Sequence, residues 1–239
     1  MELKLGYLGL SLLMIVMLIL LGNTAIDRTF DKSQKVKKLG FLIGGLLGWQ
    51  IYMFLIAKTG MLTDFSFPPR FVVFMILPAF IFIGIFIYRN RNNDWIQNIP
   101  SSWLIYYQTF RILIETLFVY SVAAGVLHPN VTIEGYNFDM IFACTAPVVG
   151  LLIYQFKALP EKFALWWNYL GLLVIASIIA TFQLTIYFPE VFGPDTAPFP
   201  TDFGLFPYVE VPGFLMPSAV FVHVLSIVHL KGKLNRGKS

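Results

Sequence analysis

Residues 103–125 read WLIYYQTFRILIETLFVYSVAAG, an apolar stretch long enough to cross a bilayer that nevertheless contains Arg111 and Glu115. Charge at such a depth is costly, and it commonly marks a binding site, an ion path or a proton relay. Gln108, Arg111 and Glu115 are spaced by three and four residues, so they share one face of a helix. An Arg111–Glu115 ion pair would reduce the cost of burying both groups.

This polar face has two interpretations. In the first, Arg111 and Glu115 form an internal ion pair that locks helices together. In the second, the face is a site at which Arg111 holds an anionic group or clamps Glu115, while Glu115 exchanges a proton. The spacing alone does not separate the two.

Three further polar residues lie in predicted membrane spans. Asp139 follows Asn137 at the start of one span, where it acts either as a helix cap or as a second carboxylate facing the same cavity as Glu115. Asn168 sits where a hydrogen bond to another helix is expected. His223 falls near mid-membrane and is predicted as a hydrogen-bond partner close to Glu115. The candidate ligand-binding or proton-handling set is therefore Arg111, Glu115, Gln108, Asp139, Asn168 and His223.

The sequence predicts no catalytic residue, metal site or cofactor. It has no phosphate-binding loop, no His-rich metal motif and no Gly-x-Ser-x-Gly element. Its single cysteine, Cys144, lies in an apolar helix and is expected to be a small buried hydrophobic residue. An enzymatic function is therefore not favoured.

The elements that position these residues are predicted from composition and hydropathy. Hydrophobic residues make up 57% of the 239-residue chain and charged residues 13%, which is more apolar than a soluble domain accommodates. We expect an all-α fold, a polytopic transmembrane helical bundle forming a single domain over residues 1–239. The first apolar run is expected to be a retained span and not a signal peptide. Seven spans are predicted, at about 4–22, 40–57, 71–89, 103–125, 138–157, 163–185 and 213–230.

The basic residues predict the orientation of this bundle. With seven spans, thirteen of the 17 Lys and Arg residues fall on one side, which is expected to be cytoplasmic. The N-terminus is then outside and the C-terminus in the cytoplasm. The thirteen are Arg28, Lys32, Lys35, Lys37, Lys38, Arg89, Arg91, Lys157, Lys162, Lys231, Lys233, Arg236 and Lys238.

The predicted outer loop, residues 186–212, is the other unusual segment. It is rich in proline and aromatic residues and contains no Lys or Arg. The prolines exclude a regular helix, and the aromatic residues indicate that the loop folds against the outer face. It is predicted to be a segment in the head-group zone, a lid over the bundle or a surface for a protein partner.

Several motifs in residues 99–230 carry a resemblance to a known family. The runs IPSSWLIYYQTFRILIE, NFDMIFACTAP, WWNYLGLL and VEVPGFLMPSAVFVHVLSI resemble a family of small bacterial multi-pass membrane proteins to which no activity is assigned. The matching positions are Gln108, Arg111, Asp139, Trp167, Asn168 and His223. The resemblance implies a bacterial inner-membrane location.

Two functions are therefore expected. The first is transport or binding of a small solute or lipid-like molecule within the bundle. The alternative is a sensor or assembly subunit, in which the polar helix face and the loop at 186–212 bind a partner protein. Membrane lipids are expected to surround the chain, and nucleic acid is not an expected partner, because the basic residues face a membrane surface.

Overall fold

The computed structural model describes residues 2–236 as a helical protein, with no strand among them. Met1 and residues 237–239, which include Lys238 of the predicted basic tail, lie outside the described residues. Within the described part, five helical segments are long and apolar enough to cross a membrane. They are Glu2–Asp27, Lys32–Lys58, Val72–Asn90, Glu161–Tyr187 and Val211–Arg236. A shorter apolar helix covers Asp139–Gln155. Its Cys144 is exposed, so the prediction that this cysteine is buried is wrong.

The helices are labelled in chain order, and three of them adjoin a π-helical turn. The turns Val72–Ile76 and Val211–Leu215 precede α3 and α9, and Leu151–Gln155 follows α7. The bounds are α1 (Glu2–Asp27), α2 (Lys32–Lys58), α3 (Leu77–Asn90), α4 (Asp94–Gln97), α5 (Ser101–Tyr106), α6 (Phe110–Ala123), α7 (Asp139–Gly150), α8 (Glu161–Tyr187) and α9 (Met216–Arg236).

The predicted span at 103–125 differs from a plain helix. It is helical from Ser101 to Ala123, but the 3₁₀ turn Tyr107–Thr109 separates α5 from α6. A 3₁₀ turn has three residues per turn and not 3.6, so it changes which residues share a face. Here it directs both Tyr107 and Gln108 into the protein interior. It lies directly before the polar residues of α6.

Two prolines explain how the peripheral helix α2 is attached. Pro78 and Pro217 have no N–H, so the carbonyl oxygens four residues earlier, on Phe74 and Gly213, lose their usual helical partners. Tyr52 Oη donates to Phe74 O at 2.7 Å, and Trp49 Nε1 donates to Gly213 O at 2.8 Å. Within α2 only Met53 and Ala57 are buried. Two aromatic side chains of α2 thus satisfy the carbonyl groups that two neighbouring helices leave free.

One end of the bundle gathers the segments that carry most of the basic residues. Arg28 Nη1 donates to Asn98 O at 3.1 Å, which ties the α1–α2 turn to the segment before α5. Lys233 forms an ion pair with Glu161 at 2.6 Å, joining the end of α9 to the start of α8. The segments predicted to be cytoplasmic therefore meet at one face.

The opposite end of the bundle is covered by the segment at 186–212. Between the end of α8 at Tyr187 and the turn that begins at Val211, this segment contains the 3₁₀ turns Pro189–Phe192 and Thr201–Gly204 and no regular α-helix, as its prolines predict. Phe199 and Phe203 are buried and contact each other and Phe182 of α8. Gly204 lies so close to Leu62 O that a β-carbon would come within 2.3 Å of that oxygen. Phe199, Phe203 and Tyr208 are buried as predicted for a loop that folds against the outer face, whereas Phe188 is 54% exposed.

Candidate functional site

The centre of the site is a buried ion pair between Arg111 of α6 and Asp139 at the start of α7. Arg111 is 2% exposed and Asp139 is 5% exposed. Arg111 Nε donates to Asp139 Oδ2 at 2.9 Å, and Arg111 Nη2 donates to Asp139 Oδ1. Two parallel hydrogen bonds between a planar guanidinium and a carboxylate give both charge neutralisation and a fixed geometry. The pair connects α6 to α7.

His223 and Asn168 extend this network into α9 and α8. Asn168 Nδ2 donates to the carbonyl of Ala164 at 2.7 Å, which fixes the amide so that Asn168 Oδ1 is the acceptor for His223 Nδ1 at 2.8 Å. His223 Nδ1 therefore carries a proton. Its Nε2 is then free to accept from Arg111 Nη1 at 3.2 Å. His223 is neutral in this arrangement and belongs to the Arg111 network.

The absence of a side chain at Gly171 lets α8 and α9 pack closely around this network. A β-carbon at Gly171 of α8 would lie 2.4 Å from His223 Cε1. The Phe142 ring lies 5.2 Å from the Arg111 guanidinium carbon and stacks on Trp167 at 4.8 Å. An aromatic face next to a guanidinium adds a favourable cation–π contact. The position of the Arg111 head group is therefore determined by four helices.

The expected ion pair between Arg111 and Glu115 is replaced by a different arrangement. Glu115 Oε1 accepts a hydrogen bond from Asn137 Nδ2 at 2.9 Å, and the ion-pair partner of Arg111 is Asp139. The order of the residues explains part of this result. A carboxylate four residues after a basic side chain is the less favourable orientation on a helix. The second reason is that Asp139, on another helix, accepts hydrogen bonds from Arg111 with both of its carboxylate oxygens.

Asn137 organises both carboxylates. Its Oδ1 accepts from the backbone N–H of Asp139 at 2.8 Å, and its Nδ2 donates to Glu115 Oε1 and, at 3.0 Å, to Val131 O. Asn137 thus accepts from the first backbone N–H of α7, while the side chain of Asp139 turns inward to Arg111. Of the two interpretations of Asp139, the structure agrees with the second, in which its carboxylate lines the same cavity as Glu115.

Glu115 has one carboxylate oxygen without a partner. The residue is 2% exposed, and its Oε2 makes no hydrogen bond with any residue that the structure describes. Burying an ionised oxygen without compensation costs several kcal/mol. This oxygen is therefore an acceptor that the described residues leave unused.

Gln108 has a different role from its neighbours on the predicted stripe. It is fully buried, and its Nε2 donates to Ala219 O at 3.1 Å, which ties the 3₁₀ turn to α9. Gln108 does not line the cavity that Arg111 and Glu115 line. The 3₁₀ turn separates Gln108 from the face that Arg111 and Glu115 share.

A cavity of about 80 Å³ extends from Arg111, Glu115 and Asp139 toward the end of the bundle that the 186–212 segment covers. Its walls come from α6, α8, the start of α9 and the turn before α3. Phe203 of the covering segment also lines it. Apart from Gln183, the remaining side chains of the lining are apolar. A concave apolar space with a few convergent polar groups is the usual form of a small-molecule site.

Comparison with known protein families, with curated proteins and with solved structures finds no match for this chain.

Two residues outside the predicted set are prominent in the structure. Asn137 lies just before Asp139, and its side chain donates a hydrogen bond to Glu115. Glu210 lies near the end of the segment at 186–212. It is 1% exposed and lies against Ser11 and Gln50. It directly precedes Val211, which lines the cavity.

Proposed function

We propose that this chain is a multi-pass membrane protein that binds, and carries across part of the bilayer, a small lipid-like molecule in the cavity that ends at Glu115. The observation that carries this proposal is the unpartnered Oε2 of Glu115 at the wall of an apolar cavity. A structural ion pair accounts for Arg111 and Asp139. It does not account for Glu115, a third buried ionisable group that lines the cavity.

The proposed topology has seven spans, an outer N-terminus and a cytoplasmic C-terminus in the inner membrane of a bacterium. The distribution of basic residues supports it. Contacts between loops agree with it, since Arg28 with Asn98 and Lys233 with Glu161 join segments assigned to the same side. On the other side, His128 stacks near Phe199 with ring centres 6.4 Å apart. The polar cluster would then lie in the outer half of the bundle.

The segment at 186–212 fits a lid better than a docking surface for a partner. Its residues Phe199, Phe203 and Tyr208 are buried and pack inward. Phe203 both contacts Phe182 and lines the cavity. A partner-binding loop would be expected to present such side chains to the outside. A lid also explains why this proline-rich segment has a defined attachment to Leu62.

Identification of the molecules that co-purify with the protein tests this proposal. Ala219→Leu places a larger side chain in the cavity wall, and Ala180→Leu is the matched control on the exposed surface of α8. We expect an amphiphile that co-purifies with the wild type and with Ala180→Leu and is depleted in Ala219→Leu, measured by mass spectrometry of extracted small molecules. Equal amphiphile content in all three proteins would contradict the proposal.

A further inference from the structure

The charges around the cavity do not cancel. Arg111 and Asp139 neutralise each other through two hydrogen bonds, and His223 is neutral because its Nδ1 donates while its Nε2 accepts. Glu115 is the remaining ionisable group of the cavity lining. Its hydrogen bond from the Asn137 amide is neutral and supplies no positive charge. The polar end of the cavity therefore carries one uncompensated acidic group.

This arrangement does not favour the role that the sequence suggested for Arg111. Its Nε and Nη2 are used by Asp139, its Nη1 by His223, and its flat side lies near Phe142. An anionic ligand that approached Arg111 would meet the carboxylates of Asp139 and Glu115, which line the same cavity. A cationic ligand instead places its positive charge beside the carboxylate of Glu115, whose Oε2 has no hydrogen-bond partner among the described residues. The electrostatic preference of the site is thus for a positive head group.

The walls next to Glu115 fit a cation as well. Phe110 and Phe118 flank Glu115 along α6, and Phe182 of α8 contacts Phe118 with ring centres 6.0 Å apart; all three line the cavity. Aromatic faces attract an ammonium group through the ring quadrupole. They also pack against the methylene groups of an alkyl chain.

The dimensions limit the length of the ligand. The lining residues of α8 extend from Ile175 to Ile186, a rise of about 16 Å at 1.5 Å per residue. The volume corresponds to about five to eight water-sized sites. A chain of medium length fits this space, and a full phospholipid does not.

We propose that the ligand class of this cavity is the medium-chain alkyl amine, bound with its ammonium group against Glu115 Oε2 and its chain between α6 and α8 under Phe203. This inference rests on the proposed function, because it names the head group of the molecule that the cavity binds. It also reverses the expected division of roles, since Glu115 and not Arg111 contacts the ligand.

The test compares three ligands with the same chain and different head groups. Octylamine, octanol and octanoate are added separately to the protein in nanodiscs, and bound molecules are counted by native mass spectrometry after release. Wild type, Glu115→Gln, and the cavity-filling Ala219→Leu are compared. We expect octylamine to bind wild type about tenfold more tightly than octanol, because a hydrogen bond to a charged group is worth that much. Octanoate should bind least.

The variants distinguish failure of the head-group inference from failure of the proposed ligand-binding cavity. Glu115→Gln should lose the preference for octylamine and keep the binding of octanol, which also shows that the variant folds. Ala219→Leu should lose all three ligands. Equal binding of octylamine and octanol by wild type, stronger binding of octanoate, or an unchanged preference in Glu115→Gln would overturn the head-group inference and leave the cavity proposal standing. Absence of every adduct from wild type would overturn both.

Discussion

At the scale of single residues, the site separates a satisfied ion pair from an unsatisfied acid. Arg111 and Asp139 neutralise each other's charge and are joined by hydrogen bonds. Glu115 accepts a hydrogen bond from Asn137 with one oxygen, and its other oxygen has no partner among the described residues. Buried pairs of this type are sensitive to loss of one member, because the other charge is then left in an apolar environment. Stability and ligand binding should therefore depend on different carboxylates.

Asp139→Asn is expected to destabilise the protein by about 3–5 kcal/mol, since it leaves Arg111 as an uncompensated buried cation. Reversible unfolding in mixed micelles measures this free energy. Glu115→Gln is the matched control, because it removes a carboxylate of which one oxygen has no partner. Its effect should be small, at about 1 kcal/mol or below. A larger loss for Glu115→Gln than for Asp139→Asn would show that the roles are reversed.

Gly171→Ala should disturb His223 without any change of charge. The added β-carbon would lie 2.4 Å from His223 Cε1, so the ring or the α8–α9 packing must shift. We expect a loss of about 1–3 kcal/mol in the free energy of unfolding, as for overpacked cores.

The control for this substitution is Gly84→Ala in α3, where no atom lies within 4 Å of the new β-carbon. A helical glycine with free space around it should be neutral or gain about 0.5–1 kcal/mol on substitution by alanine. Equal effects at the two glycines would contradict the close contact with His223.

At the scale of elements, prolines create carbonyl groups that other helices must satisfy. Tyr52 donates a hydrogen bond to Phe74 O, and Trp49 donates one to Gly213 O. These bonds connect the otherwise exposed α2 to the turns before α3 and α9. These hydrogen bonds are local consequences of Pro78 and Pro217. They define where α2 sits, although few of its residues are buried.

Tyr52→Phe removes one hydroxyl and leaves Phe74 O without a partner. The expected cost is about 1–3 kcal/mol, the penalty for an unsatisfied buried carbonyl. Reversible unfolding gives this value, and Tyr120→Phe on the exposed face of α6 is the control, expected to be within about 0.5 kcal/mol of wild type. Equal stability of the two variants would mean that the Tyr52 hydrogen bond contributes nothing.

The attachment of the 186–212 segment should depend on pH. Burial lowers the pKa of His128 below its usual value of 6.5, because the charged imidazolium is less well solvated there. Neutral His128 also accepts a hydrogen bond from Asn130 N through Nδ1, at 3.2 Å, and protonation of Nδ1 removes that acceptor. The docked state therefore binds fewer protons than the released state, and docking weakens as pH falls below 6.5.

A fluorophore on Asp195 of the segment would report this release as a rise in mobility between pH 7 and pH 5. His128→Asn keeps a side-chain acceptor for Asn130 N and has no titrating group in this range. Its mobility should not vary with pH in the same interval. An identical pH profile in wild type and variant would assign the change to another group.

At the scale of the whole molecule, hydropathy predicted the positions of the helices well, because the length of an apolar run is a local property. Four of the five long helices contain a predicted span, and Val72–Asn90 begins one residue after the start of the span predicted at 71–89. The shorter Asp139–Gln155 falls within the span predicted at 138–157. The shared face of Arg111 and Glu115 also followed from local spacing. The 3₁₀ turn at Tyr107–Thr109 was not predicted, since no proline or glycine marks it.

The partners of the polar residues could not be read from spacing. Arg111 and Asp139 are 28 positions apart, and Arg111 and His223 are 112 apart, so their contacts depend on how α6, α7 and α9 pack. Glu115 was expected to form the ion pair with Arg111 because the two residues are near in sequence. The presence of a capped aspartate on another helix decided the pairing instead.

The central claim is that Glu115 faces a cavity that solutes can enter. The most direct measurement places single cysteines at Glu115 and at Leu113, in a protein without Cys144, and adds a small charged thiol reagent from each side of the membrane. The account predicts modification at 115 from the side of the 186–212 segment, and no modification at 113, which faces away from the cavity. No modification at 115 in a folded protein would contradict it, and would make the Arg111 cluster a dry structural element.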